Sequence, residues 1–80
     1  PTALRMAQEG LKQIEDATVK LLDRNPQGLR NAEIADLLDL RSDFLGNQQN
    51  YLTYSVLGGL IAKGRVAWHY EGRFRIFTKM

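Results

Sequence analysis

The chain has 80 residues and no cysteine, which excludes disulfide staples and thiolate metal sites and fits a reducing compartment. It has one histidine, His69, so no histidine pair is available for a metal or a proton relay. There is no glycine-rich phosphate loop and no His/carboxylate set at ligand spacing, so neither a cofactor nor catalysis by this chain is expected. No apolar run is long enough to span a bilayer or to form a secretory h-region, which leaves a cytoplasmic protein as the expectation. Carboxylates are also scarce where cations gather. Residues 47–80 hold Glu71 alone against Lys63, Arg65, Arg73, Arg75 and Lys79, a balance of +4. Residues 1–46 carry −2, so the net +2 hides a segregation. One acidic side and one cationic, aromatic side suit a surface that meets a polyanion.

What is present is ordinary globular composition: 44% hydrophobic and 25% charged residues, enough for one small domain over 1–80. A processed small protein and a piece of a larger one are both open. Leu4, Ala7, Leu11, Ile14, Thr18, Leu21 and Leu22 recur at helical spacing, with Lys12, Glu15, Asp16 and Lys20 on the other side. This predicts a helix over about 4–24, stopped by Asn25-Pro26-Gln27-Gly28, with Gly10 weakening its first turns. Leu29-Arg30 is long enough only for a bridge-like strand. Asn31 reads as an N-cap for a second helix over about 31–40, with Ile34, Ala35, Leu37 and Leu38 on its apolar face. Arg41–Gly46 is a connector that offers Phe44 or Leu45 to the core.

A third helix is expected over about 47–63, closed by Gly64. Thr53, Val56, Leu57, Leu60 and Ile61 share one side; Asn47, Gln48, Tyr51, Ser55 and Gly58 share the opposite one, with Tyr54 at the margin. The Gly58-Gly59 pair is poor for a helix and suggests a close approach to the backbone. Residues 65–79 then alternate with a period of two, which predicts a β-hairpin. Two registers are open. A two-residue Glu71-Gly72 loop puts Trp68 on the face of Arg75, whereas a three-residue loop ending at Arg73 unites Val66, Trp68, Tyr70, Phe74 and Ile76. The second is preferred because it collects one apolar face, with Trp68 in the core.

The segment Leu29-Arg30-Asn31-Ala32-Glu33-Ile34-Ala35-Asp36-Leu37-Leu38 resembles the second helix of winged helix-turn-helix domains. Tyr51–Val66 resembles that family's junction between recognition helix and first wing strand. The resemblance implies an α+β winged helix: a three-helix core, a short strand and a C-terminal wing. The connector Arg41–Gly46 is longer than the family's usual tight turn. Leu40–Phe44 and Gln49–Leu52 are similar, more faintly, to winged-helix modules appended to bacterial restriction endonucleases.

The resemblance implies double-stranded DNA as the partner. Asn47, Gln48, Asn50, Tyr51, Tyr54 and Ser55 would face the major groove, where side-chain amides can pair with adenine. Arg65, Arg73, Arg75 and Lys79 would hold phosphates or probe the minor groove. If about four cations do so, log K falls against log salt with a slope of roughly −3 to −4. His69 has no partner carboxylate in the hairpin and is available to a phosphate. The acidic residues are expected on exposed helix faces turned away from DNA. A target-reading module of a nuclease or of a transcription regulator follows, with a homodimer or a covalently linked catalytic domain as further partners. A winged-helix protein–protein module is the alternative.

Overall fold

The computed structural model describes residues 2–40 and 50–80. The element order among them is α1 (Thr2–Asp23), α2 (Asn31–Leu37), α3 (Tyr51–Ala62), β1 (Val66–Glu71) and β2 (Phe74–Lys79). The fold is α+β: three helices followed by a two-stranded antiparallel hairpin. An isolated bridge, Leu29 to Phe77, lays the segment between α1 and α2 along the free edge of β2. Phe44 and Leu45, offered above to the core, lie outside the described residues.

α1 runs unbroken through Gly10, so the expected weak first turn does not separate from the helix. Only its second half packs. Glu15, Thr18 and Leu22 are buried, while Leu4 and Leu11 of the predicted stripe stay exposed. Glu15 was expected on the polar side. Instead it is buried under α3, where Lys63 donates to both its carboxylate oxygens at 2.8 and 2.9 Å. Gly59 lies against it, a Cβ there standing in ordinary contact 3.6 Å from Glu15 Oε2. Gly58, by contrast, has no neighbour at that distance.

α2 is shorter than predicted and is capped one residue earlier, at Arg30, because Glu33 reaches back to accept the Arg30 backbone N–H at 2.9 Å. That bond holds the Glu33 carboxyl below its ordinary value; slight desolvation opposes it, and the Arg30 side chain adds to it. Asn31, freed from capping, donates instead to the carbonyl oxygen of Asn50. Leu37, assigned by the sequence to the apolar face, is exposed rather than core. The chain leaves α2 through Asp39 at φ 54, with Leu40 N–H returning to the Ala35 carbonyl.

α3 starts at Tyr51, later than predicted, after Asn50 in the left-handed conformation. It buries Thr53, Val56, Leu57 and Leu60, the side the periodicity assigned to the core. Its end is a Schellman cap: Gly64 N–H bonds the Ile61 carbonyl and Arg65 N–H the Leu60 carbonyl, with Gly64 at φ 72.

The hairpin register departs from the preferred one. Trp68 pairs with Phe77 and Glu71 with Phe74, which leaves a two-residue loop, Gly72-Arg73. Gly72 takes φ 62 at the first loop position, the requirement of a type II′ hairpin turn. Val66, Trp68 and Tyr70 therefore share a face with Lys79, Phe77 and Arg75, while Phe74 and Ile76 fall on the other. Burying Phe77 decides the matter. Its ring is 1% exposed among Leu22, Leu29, Ile34, Val56, Leu57, Leu60 and Val66, and burying such a side chain is worth about 2–3 kcal/mol. The alternative face would have buried Phe74 and Ile76 instead. Gly28, at φ 91, lies under the outer face, where a Cβ would stand 2.3 Å from Ile76 Cγ2.

Two outcomes follow for stability. Phe77→Ala loses about 3–5 kcal/mol in urea unfolding, most of what a domain of this size holds. Gly28→Ala destabilises too, by clash and by strain at positive φ. The cap gives a pH signature. A depressed folded-state carboxyl adds stability above its unfolded value and loses it as pH falls through the folded one. Thermal melts should thus show Glu33→Gln below the parent at neutral pH, with the gap closing in acid.

Candidate nucleic-acid interface

The register sorts the cations into two groups. Lys63, Arg65 and Lys79 turn toward α1 and meet Glu15, Asp16 and Asp23 at 2.8, 3.3 and 3.0 Å. Carboxylates expected to face away from a ligand are thus clasps: Glu15 holds the end of α3 to α1, and Asp16 and Asp23 hold the base of the hairpin to it. Arg65 and Lys79, two of the predicted phosphate contacts, are engaged there. His69 has a partner after all: two residues along its own strand face, Glu71 lies 3.0 Å from Nε2.

Arg73 and Arg75 have no carboxylate partner among the described residues. Arg75 is held by aromatic rings. Its guanidinium lies 4.2 Å from the Trp68 ring centroid, 5.2 Å from Tyr54 and 5.3 Å from Phe77, and it donates to the Tyr54 hydroxyl. Trp68, expected in the core, is 40% exposed, although it pairs directly with the buried Phe77: at that level of the hairpin β2, bridged to Leu29, supplies the core ring. Arg75 fills the place that helix side chains would otherwise take against the indole. Tyr70 meets Trp68 edge-on at 5.2 Å. On the opposite face Arg30 covers Phe74 at 4.8 Å.

Between α2, the start of α3 and the hairpin tip lies a cavity of about 320 Å³, lined by Arg30, Asn31, Tyr54, Arg73, Phe74 and Arg75 among others. No carboxylate lines it among the described residues. It adjoins a groove of about 600 Å³ along α3, bounded by Asn31, Tyr51, Tyr54 and Ser55. Of the residues singled out in the sequence, Tyr51, Tyr54, Ser55, Arg73 and Arg75 border this continuous surface. Asn50 also lines the cavity but is buried as the cap of α3. Asn47 and Gln48 lie outside the described residues, and α3 begins after them.

Sequence reasoning missed Arg30 and Asn31. The sequence pattern marks Arg30 as part of a bridge-like strand and Asn31 as an N-cap, and the Leu29–Phe77 bridge brings both beside the hairpin. Among the described residues, no group of three or more His, Asp or Glu side chains could hold a metal ion. None of the described helices is long and apolar enough to cross a membrane. No family model, curated protein or solved structure matches the chain.

The packing of Arg75 can be checked directly. A flat guanidinium stacks on indole where a compact ammonium does not. Arg75→Lys should therefore weaken the near-ultraviolet circular dichroism of Trp68 while lowering stability by less than about 1–2 kcal/mol.

Proposed function

We propose that this chain is a double-stranded DNA-binding domain of the winged helix-turn-helix type, with α3 in the major groove and the hairpin as its wing. It reads a target on behalf of a larger activity, either a restriction endonuclease, including one that senses a modified base, or a transcription regulator. The cutting or regulatory chemistry lies outside this chain. One observation carries the reading: Arg73 and Arg75, two cations that no carboxylate engages among the described residues, border the same cleft as the exposed polar face of α3. Cations at a wing tip hold phosphates, while Tyr51, Ser55 and the open backbone at Gly58 meet base edges. α3 is about 18 Å long at 1.5 Å per residue, enough to cross a groove about 12 Å wide.

A protein-interaction module is the second reading, favoured by the first half of α1, where Leu4 and Leu11 continue the stripe of the buried Thr18 and Leu22 and are 59% and 48% exposed. The two readings put the work on different elements.

Binding to mixed duplex at rising salt separates them. With Arg73 and Arg75 as the available cations of the cleft, log K should fall against log salt with a slope of about −2, shallower than the full cation count would give. Replacing Arg73 and Arg75 by Glu abolishes binding. Replacing Arg65 and Lys79 by Ala lowers stability slightly and leaves the slope in place. Absence of binding at about 50 mM salt, well below the screening that hides such contacts, would end the DNA reading.

A further inference from the structure

The surface of α3 lacks the side chains that read bases through paired hydrogen bonds. Its exposed residues are Tyr51, Leu52, Tyr54, Ser55, Gly58 and Ala62, and the whole helix carries no charge and no side-chain amide. Guanine is read by Arg or Lys, adenine by Asn or Gln, and cytosine by Asp or Glu. α3 has none of these. Asn31, which borders the groove along α3, does not replace them: its Oδ1 is buried and its Nδ2 donates to the Asn50 carbonyl at 3.4 Å. The hydroxyls of Tyr51 and Ser55 both donate and accept, so they bond either kind of base edge and choose little between them.

What the groove does present is ring surface. Tyr51 and Tyr54 stand three residues apart, which makes them neighbours on one helix face, and they are 59% and 45% exposed. Tyr54 is held in place, since the Arg75 guanidinium lies 5.2 Å from its ring centroid and donates to its hydroxyl. One turn further on the side chains become small. Ser55 and Gly58 share the face of Tyr51, and a Cβ at Gly58 would meet nothing within 4 Å, so the helix can lie close to a groove floor. In the major groove one feature answers apolar contact at such a surface, the C5-methyl group of a pyrimidine. Thymine carries it in every A·T pair, and 5-methylcytosine carries it in a modified G·C pair.

We infer that α3 selects duplexes by a pyrimidine C5-methyl group, packed against the rings of Tyr51 and Tyr54. The inference rests on the DNA reading proposed above and supplies what that surface selects. Arg73 and Arg75 hold phosphates whatever the sequence; the rings give the preference.

The test measures, by fluorescence anisotropy at about 50 mM salt, binding to a pool of random-sequence duplexes prepared in four forms. These are the unmodified pool, one with deoxyuridine for every thymidine, one with 5-methylcytosine for every cytosine, and one with both replacements. Deoxyuridine keeps the hydrogen-bonding groups of thymidine and loses only the methyl. Each methyl contacted should change affinity about fourfold, the scale of one buried methyl. Weaker binding with deoxyuridine assigns the contact to A·T pairs; tighter binding with 5-methylcytosine assigns it to modified G·C pairs. In Tyr51→Ala the ratio should fall toward unity, whereas Tyr51→Phe, which keeps the ring, should retain it. Tyr51 is exposed at the start of α3, so neither change removes core packing. Equal affinity for all forms, or methyls that weaken binding, overturns the inference and leaves the DNA reading intact. A full ratio in Tyr51→Ala also overturns it, because the preference then comes from duplex shape. Loss of the ratio in Tyr51→Phe does the same by assigning it to the hydroxyl. Absence of binding to any form removes the inference and the DNA reading together.

Discussion

Burial of Phe77 is the constraint from which the rest of the molecule follows. Its side chain sits at the centre of the core, and its N–H and C=O exchange bonds of 2.8 and 3.0 Å with Leu29. Side chain and backbone are thus fixed together, which pins β2 between β1 and the stretch after α1. Because strand faces alternate, a fixed Phe77 fixes Arg75 on the same face, two residues toward the tip. That places a guanidinium between Trp68 and Tyr54. It also places Lys79 at the base of the hairpin, within reach of Asp23 on α1.

The division of charge seen along the chain is thereby resolved in space. The acidic half does not simply oppose the basic half; it clasps part of it. Glu15, Asp16 and Asp23 each take one cation from the C-terminal part of the chain and so dock the end of α3 and the base of the hairpin on α1. Asp16 and Asp23 are exposed, so those pairs orient more than they stabilise. Glu15 is different. Its carboxylate is 5% exposed, and losing Lys63 would leave a buried charge unpaired. What remains for a partner is the tip, where arginine is held flat by aromatic rings and costs little entropy to present.

Much of this was legible in the sequence. The core side of α3 followed from periodicity, the stop at Gly64 from its position, and the bridge at Leu29 from the shortness of the segment. The hairpin register was not legible. Both alternations in residues 65–79 are apolar enough to fold inward, and the choice depends on the bridge to Leu29, a contact across 48 residues of chain. Trp68 misled because its size argues for burial, whereas the structure buries its cross-strand partner Phe77 instead. Glu15 read as surface because a helical wheel does not show that Lys63 will arrive above it. Arg30 and Asn31 could have been found from one signal, their position in and directly after a predicted bridge strand, which puts them beside whatever that strand pairs with.

The most direct measurement is amide chemical-shift mapping of the protein against a short DNA duplex. The account predicts shifts concentrated at Tyr51, Tyr54, Ser55, Arg73 and Arg75, with Lys63, Arg65 and Lys79 little moved behind their carboxylate partners. Shifts that gather on the outward side of α1, or on Arg65 and Lys79 instead of the hairpin tip, would contradict it.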